Sequence, residues 1–236
     1  MASPIGARGS FDIKADESDS SITVHIAEPH GVRSEGLGLS TWGASWVLAN
    51  LLHKVSISPH SDVLELGAGT ALVGLAAAAL WRSNVVLTDL PAIVPGLEAN
   101  ISLNQTLFRQ RGATARAGSL DWTSPSRLAL SASDNTDHND LLNKPQIILA
   151  ADTIYDEEHP QLLCSTITTW LAPGPEARVI LCYPLRMAYI DYIRDFWERM
   201  EAANLECCEE GKEAGDETWN EVAHTPYEWC VWRRRS

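Results

Sequence analysis

The segment Asp62-Val-Leu-Glu-Leu66 is a short apolar run that ends in Gly67-Ala-Gly69-Thr-Ala71, after which Leu72, Leu75, Ala76, Ala79 and Leu80 recur at helical spacing. A buried strand that turns through glycines directly into a helix restricts the fold more than any other feature of the chain. Glycines there let the backbone turn tightly and let a ligand lie against the main chain. The same alternation continues on both sides. Val47, Leu48, Leu51, Leu52 and Val55 predict a helix ahead of the turn. Residues 85–88, 113–117, 146–150 and 178–182 read as strands, and 205–208 with 228–232 as a final strand pair. Pro91 and Pro160 sit where helices begin, with Ile93, Val94, Leu97 and Ile101 on the first face and Leu162, Leu163, Ile167, Trp170 and Leu171 on the second. An amphipathic helix is predicted over 188–203. Strands and helices alternating at this spacing imply βαβ units with right-handed crossovers, hence an α/β fold with a doubly wound, mostly parallel sheet and helices on both faces.

At 236 residues the chain suits one domain. The polar stretch 1–21 is expected to be a flexible arm, with a strand at 22–26 opening a single domain over 22–236. Residues 123–144, rich in Ser, Asn and Asp, read as a surface loop or insertion. Eighteen Lys and Arg against 31 Asp and Glu give a net charge of −13, which argues against nucleic acid and anionic membranes as partners. No apolar run reaches the ~20 residues of a bilayer span, and the first residues lack the apolar core of a secretory signal. Five cysteines without a CxxC spacing point to a reducing compartment, the cytoplasm or the nucleus. The acidic run 201–221 reads as a solvated face. Nine tryptophans against three phenylalanines are unusual.

Two carboxylates sharpen the glycine turn. Glu65 lies within the strand end, and Asp89 closes the next strand about 20 residues on, where a carboxylate meets ribose hydroxyls in nucleotide-binding folds. A dinucleotide fingerprint wants glycine at Leu72, so the turn suits an adenosine-type ligand without a pyrophosphate better than NAD. Three further segments complete the set: Leu39-Ser-Thr-Trp42-Gly-Ala-Ser, Ser119-Leu-Asp121-Trp122 and Ala150-Ala151-Asp152-Thr-Ile-Tyr155.

In this order the segments resemble the seven-β-strand, S-adenosylmethionine-dependent protein methyltransferases with a D-x-x-Y motif, the lysine methyltransferase group known as family 16. The resemblance spans roughly 42–232. It implies a Rossmann-like sheet of seven strands with the last antiparallel. It implies that Gly67, Ala68 and Gly69 pass close to the methionine portion of S-adenosylmethionine, with Glu65 supporting the pocket, and that Asp89 accepts hydrogen bonds from the ribose. It implies that Trp122 flanks the adenine with Asp121 beside it, that Trp42 and Ala151 line the pocket, and that Asp152 and Tyr155 face the substrate amine. Ala71 departs from the family, which usually has a third glycine there.

Methyl transfer from a sulfonium is an in-line displacement, so positioning does most of the work. A carboxylate such as Asp152 can orient an incoming ammonium, and an aromatic ring such as Tyr155 can face its charge. Each residue has a plainer alternative: Asp152 capping a turn, Tyr155 at the edge of the core, Trp122 as packing. The histidines have no metal-ligand spacing, and no metal is expected. The expected function is methylation of a lysine ε-amine on a protein such as a translation factor or chaperone, by a monomer whose substrate carries a basic region around the target. The alternatives are a small-molecule N-methyltransferase, a cofactor-binding module without turnover and, weakened by Leu72, an NAD-dependent oxidoreductase. Trp219 is the tryptophan expected on the substrate side.

Overall fold

Alanine and leucine fill the helix after the glycine turn, and every residue from Leu72 to Ala79 is buried. A helix apolar on all sides must be covered on all sides, and this one is the centre of the molecule. The computed structural model describes residues 8–18, 20–28, 33–34, 37–38, 40–58, 60–131, 144–214 and 225–235. In chain order these form β1 (Arg8–Lys14), β2 (Ser21–Ala27), β3 (Arg33–Ser34), β4 (Leu37–Gly38), α1 (Gly43–Leu51), β5 (Val63–Leu66), α2 (Leu72–Trp81), β6 (Asn84–Asp89), α3 (Val94–Leu103) and α4 (Gln105–Arg111). They continue as β7 (Thr114–Leu120), β8 (Leu128–Leu130), β9 (Ile147–Ala151), α5 (His159–Trp170), β10 (Arg178–Pro184), α6 (Ile190–Ala202), β11 (Leu205–Ala214) and β12 (Pro226–Arg234).

The main sheet runs β11-β12-β10-β9-β5-β6-β7-β8. Strands β7, β6, β5, β9 and β10 are mutually parallel, and β12 inserts antiparallel between β10 and β11. This is the α/β, mostly parallel sheet that the sequence predicts, with the antiparallel last strand that the resemblance implies and eight strands in place of seven. Side chains alternate across it. Val63, Ile147 and Leu149 join the core under α1, α2 and α3, while Leu64, Leu66, Ile148 and Ala150 join the core under α5 and α6.

Two expectations change. The segment expected as a flexible arm over 1–21 is, from Arg8 on, the first strand of a hairpin with β2. Its alternate residues Phe11 and Ile13 pack on the core formed with α1 and α2, and Ile13 is fully buried, so it has apolar surface to hide. Within the segment expected as a loop over 123–144, residues 128–130 pair antiparallel with β7 and make an eighth strand; a three-residue pairing is too short to leave a period-2 signal. Residues 132–143 and the expected substrate-side Trp219 lie outside the described residues. Pro91 sits in a turn and the helix opens at Val94 with Pro95 in its first turn. Trp46 and Trp81 pack against one core and Trp170 and Trp197 against the other, and the indoles of Trp81, Trp170 and Trp197 donate to the Leu52 carbonyl, the Pro125 carbonyl and the Tyr183 hydroxyl.

Candidate active site

All the singled-out segments follow the C-terminal ends of parallel strands or, for Trp42, the start of α1, which is where open α/β sheets bind ligands. The glycine turn after β5 contains three left-handed residues: Gly67 at φ +62°, Gly69 at φ +54° and Ala71 at φ +68°. The two glycines serve different ends. A Cβ on Gly67 would stand 3.0 Å from the Thr153 methyl and 3.2 Å from the Trp122 ring, so the turn is closed over on that side by protein. A Cβ on Gly69 would meet nothing within 4 Å. The main chain at Gly69 therefore borders open space, as a loop that receives a ligand must. Ala71, at the family's third glycine position, keeps the left-handed conformation despite its Cβ and is fully buried at the start of α2.

Side chains from three directions fix this loop. The Asp89 carboxylate accepts the Gly69 N–H at 2.8 Å and the Leu90 N–H at 2.7 Å. The Thr70 hydroxyl meets the Thr41 hydroxyl at 2.9 Å, which ties the loop to the residue before Trp42. The buried Asn100 amide donates to the Thr70 carbonyl at 3.0 Å. Beneath the turn, Glu65 is 2% exposed and accepts the Gly74 N–H at 3.1 Å. Burial, with Asp89 nearby adding to it and the Gly74 bond opposing it, pushes its carboxyl up to about 8. Glu65 thus stands under α2 as a support for the loop.

The other expected residues divide. Trp122 lies over Gly67 and edge-on to His159, with ring centroids 5.7 Å apart. Asp121 is exposed and spends its carboxylate on the Thr123 N–H and hydroxyl, an Asx turn that sets the direction of the chain after β7. Trp42 precedes α1, its carbonyl accepting the Ser45 and Trp46 N–H groups, and it is 40% exposed. Ala151 ends β9, nearly covered. Asp152 follows at φ +54°, its N–H on the Cys182 carbonyl, its carboxylate clasped by both terminal nitrogens of Arg186 at 3.2 Å. Tyr155 packs edge-on to His159 at 4.3 Å, and its N–H reaches the His159 ring nitrogen at 3.4 Å. The sequence assigns no role to His159 or Thr153; it sets Tyr183-Pro184-Leu-Arg186 after a strand end, either shaping the substrate pocket or as a plain strand–helix turn, but nothing local pairs Arg186 with Asp152. His159 touches both Trp122 and Tyr155 and links the two halves of the site.

A family model described as lysine methyltransferase matches residues 20–202. The chain belongs to this family. It is 34% identical to the protein-lysine N-methyltransferase rrg1 of Schizosaccharomyces pombe, over 90% of this chain and 67% of that one. To the protein-lysine N-methyltransferase EFM2 of Saccharomyces cerevisiae it is 32% identical, over 86% of this chain. The chain spans half the length of EFM2. A solved SAM-dependent methyltransferase from Methanosarcina mazei superposes with a TM-score of 0.55 at 11% identity, over 76% of this chain and 94% of that one, a likeness of fold.

Proposed function

We propose that the protein transfers methyl groups from S-adenosylmethionine to lysine ε-amines of a protein substrate. The observation that carries the reading is the glycine turn: a main chain open to space at Gly69, held by Asp89, and bordered on one side by Trp122 and on the next strand end by Asp152 and Tyr155. The donor set fits this cofactor. A carboxylate can accept up to about four hydrogen bonds, so Asp89 can hold the loop and still receive ribose hydroxyls. Trp122 offers a ring face for adenine, with Asp121 beside it, and Trp42 and Ala151 form further walls. Leu72, fully buried where a dinucleotide turn needs glycine, opposes a pyrophosphate cofactor.

When bound, S-adenosylmethionine supplies an electrophilic methyl carried on a sulfonium. The chain's residues orient. Gly67, Ala68 and Gly69 fix the cofactor's amino-acid end against the main chain, and Glu65 holds that turn from below. Asp152 directs the acceptor amine, and the Tyr155 ring faces its charge. Protein substrates of the relatives include those named in the mouse EEF1A lysine methyltransferase 3, 27% identical over 64% of this chain. A basic region around the target lysine matches the net charge of −13. The enzyme acts as a monomer without nucleic acid, and its five free thiols suit the reducing cytoplasm or nucleus.

The test uses tritiated methyl on S-adenosylmethionine with the purified protein and a proteome from cells lacking it. Label in a protein band, mapped by mass spectrometry to lysine, is the expected result. Label confined to small molecules, or cofactor binding with no transfer, overturns it.

A further inference from the structure

Asp152 does not stand at the site as a lone carboxylate. Its side chain is 7% exposed and that of Arg186 27%, and the two meet in a bidentate pair, each terminal guanidinium nitrogen 3.2 Å from its own carboxylate oxygen. The pairing is built into the backbone. The Asp152 N–H bonds the Cys182 carbonyl at 2.9 Å, so the chain leaving β9 is tied to β10, four residues ahead of Arg186. Arg186 in turn sits over the Tyr189 ring, 5.8 Å from its centroid. Asp152 adopts left-handed backbone, which Asp and Asn tolerate better than most residues and which persists where the surroundings demand it.

This arrangement answers a problem that the methylation reading itself creates. Only a neutral amine has a lone pair to attack with, and a lysine amine ordinarily titrates near 10.4. A buried unpaired carboxylate a few ångströms away would favour the ammonium and raise that value by about 1–3 units, each unit a further tenfold loss of neutral amine at a given pH. An arginine on the same carboxylate cancels this: the pair as a whole is neutral. Resting on the lysine-methylation reading, we infer that Arg186 is a positioning residue of the acceptor site, keeping Asp152 as a neutral ion pair that orients the incoming amine without trapping it as ammonium. The amine's proton then leaves to solvent before attack, and the carboxylate stays ionised. Among the described residues, other titratable groups on the adjoining segments include Tyr155, Asp156, Glu157, Glu158 and His159 after β9, Cys182 and Tyr183 in β10, Tyr189 just before α6, Asp191 and Tyr192 in its first turn, and Tyr227, Glu228 and Cys230 in β12. Of these, Tyr183 gives its hydroxyl to Glu228, and Asp156 accepts the Glu158 N–H.

The variants are Arg186→Gln, Arg186→Lys and Asp152→Asn, the last retaining a side chain that accepts left-handed backbone. Affinity for S-adenosylmethionine and the unfolding midpoint report whether each is folded. The first reading is binding of n-butylammonium, a mimic of the lysine side-chain end, by calorimetry without cofactor. Arg186→Gln is expected to bind it about tenfold tighter than the wild-type protein, and adding Asp152→Asn to remove that gain. Equal affinity of Arg186→Gln and wild type overturns the inference, whatever the transfer assay gives. The second reading is the initial rate of label transfer against pH. Its rise moves up by about one unit or more in Arg186→Gln, stays in place in Arg186→Lys and moves down in Asp152→Asn, where the guanidinium is left uncompensated. Superimposable profiles for all four proteins also overturn it. Absence of transfer by the wild type sinks the methylation reading instead, while the butylammonium titration still decides how Arg186 acts on Asp152.

Discussion

Gly67 and Gly69 share a motif and a backbone conformation but face different things, protein at the first and open space at the second. Alanine at 69 therefore strains the left-handed backbone by about 1–2 kcal/mol and also puts a methyl into the open space that the proposed function gives to the cofactor's amino-acid end. Gly69→Ala is expected to lose more in S-adenosylmethionine affinity, about tenfold or more, than its modest fall in unfolding midpoint would suggest; a stability loss with full affinity would remove the loop from the binding site. Glu65 makes a prediction about pH. Its carboxyl is pushed from an ordinary 4.5 to about 8 in the folded protein. Between those values the native state holds a proton that the unfolded chain has released, so this group's contribution to stability falls as pH rises through the window and is level above it. Glu65→Gln keeps an acceptor for the Gly74 N–H and removes the titration. Its midpoint should match the wild type near pH 4.5 and exceed it increasingly up to pH 8, by several degrees. A constant difference across that range would mean that Glu65 is ionised when folded.

The hairpin of β1 and β2 is held to the body by two side chains of α3 and its C-terminal cap. Asn100 accepts the Ala27 N–H and donates to the carbonyls of Ala27 and Thr70, while Asn104 accepts the His25 N–H and donates to the carbonyls of His25 and Asn100. Both asparagines are essentially fully buried. Asn100→Ala would strand buried groups at Ala27 and Thr70, at about 1–3 kcal/mol for each buried group left unsatisfied. We expect a fall of at least that size in unfolding free energy by urea titration and, because Thr70 belongs to the glycine turn proposed to hold the cofactor, weaker cofactor binding. Loss of one without the other would separate the hairpin from the site. This tie explains where sequence reading stops. Strands β5, β6, β9 and β10 and helices α2 and α5 are legible because their apolar periodicity and turn residues are local. The hairpin's clamp is not, since the bonded residues stand 73 and 79 positions apart, and nor is the pairing of Arg186 with Asp152, 34 positions away. Glu65, Asp89 and Asp152 could be named because they lie beside strand ends. What each bonds could not, because that depends on how helices and strand ends meet in three dimensions. The acidic run has an explanation at this scale as well: Glu206, Glu209, Glu210 and Glu213 lie on β11, the outermost strand of the sheet, and charge on an exposed edge discourages pairing with another chain.

For the whole molecule the question is what a net charge of −13 does beyond protecting an edge. Charge of one sign raises the encounter rate with a partner of the other sign, and the effect fades once the screening length drops below the distance between the charged surfaces, about 10 Å at 0.1 M salt and about 3 Å at 1 M. Exposed carboxylates on β11 and α6, such as Glu210, Asp191 and Glu201, lie in the C-terminal part of the fold together with Arg186, so a basic substrate region could be drawn toward this half of the molecule before the lysine docks. Steering acts on association and leaves the chemistry in the bound complex alone. The expected signature is that label transfer at limiting protein substrate falls steeply, about tenfold, between 0.05 and 0.5 M salt, while the rate at saturating substrate and the cofactor affinity change little. Charge reversal at Glu209 and Glu210, both exposed and outside the site, should flatten that dependence. If limiting-substrate transfer were insensitive to salt, the acidic surface would be left with solubility and edge protection as its work, and recognition of the substrate would have to come from contacts close to Asp152 and Tyr155.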